Sequence, residues 1–155
     1  GKLATDAIAL MGYSCGGLQA LAQSGDERVK TLVLWNSGVI AAEDPRAAAL
    51  EVGKDILKSL SMPVAYIAGR PSDIAYGNSV DDVSRIEGVP LFFGNIDVSH
   101  SGTYAEPNGG AFGQVGSAWL QWQLKGDMTS AKIFVGADCG LCQDPAWTVE
   151  KKNIN

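Results

Sequence analysis

The chain has one histidine in 155 residues, His100, and that scarcity narrows the chemistry open to it. It has three cysteines, one of them inside a glycine-rich turn, so a mononuclear zinc site would be short of ligands. Positive charge is also scarce. Lys and Arg number 12 against 17 Asp and Glu, the net charge is −5, and the longest basic run is Lys151-Lys152. Nucleic acid and anionic membrane surfaces are therefore poor electrostatic partners. No apolar stretch approaches the roughly 20 residues of a membrane span, and Lys2 to Asp6 lead into a candidate strand without the pattern of a signal peptide. G-x-x-x-x-G-K-[ST], H-E-x-x-H and calcium-loop patterns are all missing, so neither cofactor nor metal is expected. With no repeat, low-complexity tract or linker, residues 1–155 read as a single domain, and 46% apolar residues are enough for a buried core.

Four apolar runs are present: Ala7 to Met11, Thr31 to Trp35, Pro63 to Ala68 and Pro90 to Gly94. Their hydrophobicity is continuous rather than alternating, as expected of strands in a parallel sheet covered on both faces. Helical stretches of crossover length lie between them: Gly16 to about Gln23, about Pro45 to Leu60, and about Val80 to Ile86. The order implies an α/β layer sandwich with a parallel sheet of about four strands flanked by helices. A long loop then leads to a helix from about Phe112 to Leu124. Its Phe112, Val115, Trp119 and Trp122 form one apolar stripe, expected to pack on the sheet rather than to face a ligand. A short helix near Ser130 to Val135 and an irregular tail complete the expected layout.

The chemistry concentrates in "ALMGYSCGGLQAL", residues 9–21, where an apolar strand runs into Gly12-Tyr13-Ser14-Cys15-Gly16 and then into good helix formers. This is the G-x-S-x-G nucleophile elbow, which holds a serine Oγ at the carboxyl edge of a sheet. Glycines on both sides of Ser14 are expected because a side chain on either flank would collide with the backbone or the neighbouring strand. Acyl transfer by serine also needs a base, an acid that orients the base, and oxyanion donors. The base must be His100, placed a few residues beyond the fourth strand between Ser99 and Ser101-Gly102. For the acid, Asp73 is favoured because it follows the third strand at the same sheet edge. Asp97 stands very near His100 in sequence, and capping or dipole roles account for Asp81 and Asp82. The order Ser14, Asp73, His100 is the Ser…Asp…His order of one hydrolase fold class.

The pair Cys139 and Cys142 in "CGLC" admits a structural disulfide, buried thiols or redox chemistry, in that order of preference. A disulfide would favour a secreted or periplasmic home over a cytoplasmic one.

"ALMGYSCGGLQAL", "YIAGRPSDIAY" and "VSHSGTY" resemble, in order and at plausible spacing, the nucleophile, acid and base segments of the α/β-hydrolases. The similarity is to the esterase, lipase and dienelactone-hydrolase-like members, and "GSAWLQWQLKGD" resembles the closing helix of their secreted forms. The resemblance covers essentially the whole chain as the C-terminal half of such a fold. It implies a serine esterase with Ser14, His100 and Asp73 as triad, acting on small-molecule or polymer esters. It also implies about four further strands before residue 1, whose loops would bring the second oxyanion donor. Only the backbone N–H of Cys15 is assignable to the oxyanion hole. The edge of Ala7 to Met11 is then expected to pair with such an N-terminal half or with a second chain. The alternative is a non-catalytic or truncated module that binds or assembles through that open edge.

Overall fold

The computed structural model describes residues 2–49 and 52–155. All four apolar runs form strands, β1 (Ile8–Tyr13), β2 (Val29–Trp35), β3 (Val64–Gly69) and β4 (Leu91–Ile96), paired in parallel in that order. Every residue of β3 and β4 is buried, which is why their hydrophobicity does not alternate. A fifth strand, β5 (Thr148–Lys152), runs antiparallel along the outer side of β4 and makes the sheet five-stranded. It corrects the expectation of an irregular tail. "TVEKK" is polar enough to read as loop, yet Trp147 and Ile154 on either side of it anchor in the core.

Helices cover both faces. On one, α1 (Cys15–Ala22) and α2 (Tyr76–Arg85) bury Leu18, Leu21 and Val83 against Leu32, Leu34, Val64, Tyr66 and Leu91. On the other, α3 (Gly110–Lys125) buries Phe112, Val115 and Trp119 against Val33, Ala65, Ile67 and Phe92. The tryptophan stripe thus packs on the sheet, and the Trp119 indole N–H donates to Thr31 Oγ1 at 2.8 Å. Two one-turn helices, α4 (Met128–Ala131) and α5 (Gly140–Gln143), complete that layer. Among the described residues no helix is long and apolar enough to cross a membrane.

The expected helix from Pro45 to Leu60 is absent as such. Two 3₁₀ segments, Pro45–Ala49 and Lys54–Ser59, stand there instead, and residues 50 and 51 lie outside the described residues. Gly53, extended at φ −101° and ψ 167°, interrupts what alanine content alone would favour. The short helix expected near Ser130 to Val135 falls earlier, at Met128–Ala131, where the Asp127 side chain caps the N–H of Thr129.

A disulfide joins Cys139 and Cys142, whose Cα atoms are 4.9 Å apart. Cys139 is buried in the cluster that contains Phe134, Leu141 and Trp147. Closing a four-residue loop restricts the unfolded chain, so replacing both cysteines by Ala is expected to cost about 2 kcal/mol. Urea unfolding of the double variant measures this, and a loss below about 0.5 kcal/mol would show that packing alone holds α5.

Candidate active site

β1 ends at Tyr13 and α1 begins at Cys15, so Ser14 alone makes the turn, at φ 52° and ψ −123°. A non-glycine residue held at positive φ stores about 1–3 kcal/mol of strain. Its surroundings pin it: the Ser14 N–H donates to Trp35 O at 3.0 Å, while Ser14 O accepts from Gly17 N at 2.9 Å and from Ser37 Oγ at 2.7 Å. The expected glycine constraint holds on one flank and moves on the other. A Cβ on Gly12 would lie 2.0 Å from Gly16 O, but a Cβ on Gly16 would meet nothing within 4 Å. The second tight position is Gly17, where a Cβ would sit 2.2 Å from Ser37 Oγ.

Gly16→Ala should therefore be tolerated or stabilise α1 by up to about 1 kcal/mol. Gly12→Ala, which opposes backbone to backbone, should cost roughly 3 kcal/mol or more, as severe overpacking does. Thermal unfolding of the two variants compares them, and equal losses would refute this account of the elbow.

Because β1 to β4 are parallel, the segments that leave them emerge at one edge of the sheet. Ser14 follows β1, Asn36 follows β2, Asp73 stands four residues beyond β3, and His100 four residues beyond β4. The structure brings the three sequence-nominated residues into one line. Ser14 Oγ is 3.0 Å from His100 Nε2, and His100 Nδ1 is 2.7 Å from Asp73 Oδ1. The imidazole is half-buried and the carboxylate fully buried.

Burial alone would raise the Asp73 pKa, but hydrogen bonds outweigh it and hold the carboxyl below its ordinary range. Oδ1 accepts from Ala75 N at 2.9 Å as well as facing His100 Nδ1, and Oδ2 accepts from Asn36 Nδ2 at 2.8 Å and Gly69 N at 3.1 Å. The carboxylate therefore stays ionised throughout the neutral range.

The other acids lie elsewhere. Asp97 is exposed, and the acid that faces His100 Nδ1 is Asp73. Asp81 pairs with Arg85 and Lys54 near the surface. Asp82 does not cap a helix end; it lies within α2, fully buried, and accepts from Val39 N at 2.7 Å, Tyr66 Oη at 3.1 Å and Lys54 Nζ. Burial raises its pKa, with Lys54 and Val39 opposing the rise. Its work is to tie the loop after β2 to α2.

Cys15 is the first residue of α1, so its N–H has no intrahelical acceptor. Its free thiol is exposed. An open cleft lies over the serine, lined by Ser14, Cys15, Leu18, Ile40, Ile74 and His100 among others. Asn36, Ser37, Gly38 and Arg46 also line it, so the segment after β2 forms part of the cleft wall. Sequence reading missed Asn36 and Tyr104, which touch the acid directly and at one remove. The available signal was an asparagine directly after a strand, a residue type that tolerates the positive φ of 41° found there.

No family model and no curated protein matches this chain. Among solved structures, it is similar to the esterase domain of a Rhodothermus marinus protein, with a TM-score of 0.56 at 18% identity. The match covers 75% of this chain and 61% of that one, so the chain spans less than two thirds of its neighbour's length. The likeness is one of fold: a mostly parallel sheet flanked by helices, consistent with part of a hydrolase-like α/β architecture.

Proposed function

We propose that the chain carries the catalytic residues of a serine hydrolase acting on carboxylic esters through an acyl-enzyme. The observation that supports this reading is the line from Ser14 Oγ through both nitrogens of His100 to Asp73, at 3.0 and 2.7 Å, on the exit edge of a parallel sheet. Ser14 Oγ attacks the ester carbonyl as His100 Nε2 takes its proton. The Cys15 N–H donates to the carbonyl oxygen as that oxygen becomes an anion. His100 then returns the proton to the leaving alcohol, and water deacylates Ser14 by the same route. Asp73 holds the imidazole with Nε2 free to accept, and its negative charge stabilises the imidazolium.

One N–H makes half of an oxyanion hole, and loss of a single donor costs roughly 10²–10³ in turnover. In this reading a further strand of a longer polypeptide, or a second chain, pairs with the free side of β1 and brings the other donor. Among the described residues β1 is an edge strand, and its exposed Met11 and Tyr13 favour such a partner. They equally suit the second reading, a module that assembles through this edge without catalysis. Treatment with a fluorophosphonate followed by intact mass and peptide mapping separates the two. The hydrolase reading expects one adduct, on Ser14, blocked by Ser14→Ala; an unlabelled Ser14 in folded protein would reject it.

A further inference from the structure

The triad line does not stop at Asp73. Asp73 Oδ2, the oxygen turned away from the imidazole, accepts from Asn36 Nδ2, and Asn36 Oδ1 in turn accepts from the Tyr104 hydroxyl. Tyr104 stands four residues after His100 on the same loop, so the chain of contacts returns to the segment that carries the base. The circuit links the exits of β2, β3 and β4.

Each member is held independently. Asn36 is fully buried at φ 41°, and its N–H donates to Ile67 O at 2.8 Å. The Tyr104 ring packs edge-on against Tyr13, Trp35 and Phe112, with centroids 5.1, 6.4 and 5.7 Å away. Its loop is pinned by Thr103, whose hydroxyl donates to Gly109 O at 2.6 Å and accepts from Phe112 N at 3.0 Å. Tyr13 adds a bond from its hydroxyl to His100 O at 3.1 Å.

We infer that Asn36 and Tyr104 are positioning residues for the triad: the Tyr104 hydroxyl fixes the Asn36 amide so that its NH₂ end, not its oxygen, faces the Asp73 carboxylate. An amide is nearly symmetric in shape, and turned over it would set oxygen against carboxylate oxygen. Tyr104 donates to the amide oxygen and so favours the productive orientation. Asn36 then fills a lone pair on Oδ2, which leaves Oδ1 directed at His100 while the imidazole gains and loses its proton. A carboxylate supported only from the end of β3 and its own loop, through Gly69 N and Ala75 N, lacks any tie to β2.

This inference rests on the ester-hydrolase reading for its kinetics but not for its geometry, and the test reads both. Asn36→Gly keeps the tolerance of positive φ while removing the amide donor, and Tyr104→Phe removes one oxygen. Each is expected to lower kcat on p-nitrophenyl acetate by about tenfold or more with KM within about twofold, the pattern of lost transition-state positioning. Because the two act in series, the double variant should lose less than about twofold beyond Asn36→Gly.

The independent readout is the NMR titration of the His100 ring, assigned by its loss in His100→Gln. Its midpoint should rise in Asn36→Gly, where the Asp73 carboxylate beside the imidazole has lost a hydrogen-bond donor. Turnover within about twofold of wild type in both single variants would overturn the inference, and so would additive losses with an unmoved His100 titration. A shifted titration in a protein whose wild type hydrolyses nothing would support the positioning circuit and reject the esterase reading.

Discussion

Ser14→Ala should reduce turnover of a small p-nitrophenyl ester by at least about 10⁴-fold while the protein remains folded, because in the proposed hydrolase reading Ser14 is the nucleophile of a cooperating triad, and its removal forfeits most of the triad's contribution at once. The same position makes a second, opposite expectation about stability. Ser14 sits at φ 52°, a conformation that alanine tolerates no better than serine and glycine adopts freely. Ser14→Ala should therefore unfold near the wild-type temperature, whereas Ser14→Gly, equally inactive, should gain about 1 kcal/mol from the relieved strain. Inactivity together with a stability gain in the glycine variant identifies strain kept for function. A folded Ser14→Ala that retains most of its turnover would remove Ser14 from the mechanism. A Ser14→Gly variant less stable than Ser14→Ala would show that the turn is not strained.

The elements that position this serine were legible because they depend on local pattern. Runs such as Thr31 to Trp35 are apolar without alternation, and only a strand covered on both faces has use for that. The turn at Ser14 was legible as a strand-turn-helix transition within a dozen residues. Parallel order then placed Asp73 and His100 at the same edge without any knowledge of packing. What stayed hidden depends on partners far away in sequence. Asp82 looks like any acid near a helix terminus until Val39, Tyr66 and Lys54 converge on it. The strand Thr148–Lys152 is polar because it is an edge strand, and its pairing with β4 is visible only in three dimensions. Gly17 rather than Gly16 meets the wall of Ser37, a contact between α1 and the loop after β2 that spacing within the motif cannot reveal.

Asp73→Asn should lower turnover by roughly 10³–10⁴-fold, far more than Asp97→Asn, because the amide removes the charge that favours the imidazolium and permits the wrong tautomer. The substitution should also destabilise the fold, for a reason specific to this site. Both Asp73 oxygens are surrounded by donors: Ala75 N and His100 Nδ1 at one, Asn36 Nδ2 and Gly69 N at the other. Whichever way the asparagine turns, its NH₂ faces two of them, and a buried donor left unpaired costs about 1–3 kcal/mol. The pH dependence of that loss has a definite sign. Hydrogen bonding holds the Asp73 pKa below its unfolded value of about 3.9, so the carboxylate contributes stability that is complete well above that value and is lost as pH falls through the lower, folded one. Wild type should thus lead Asp73→Asn in urea-unfolding free energy by the full margin at pH 7, with the margin narrowing below about pH 4 as Asp73 takes up its proton. Measuring both proteins at pH 7 and pH 3, with turnover at pH 7 corrected for the folded fraction, tests the assignment. A margin independent of pH, or a crippled Asp97→Asn beside an active Asp73→Asn, would reject Asp73 as the acid that orients His100.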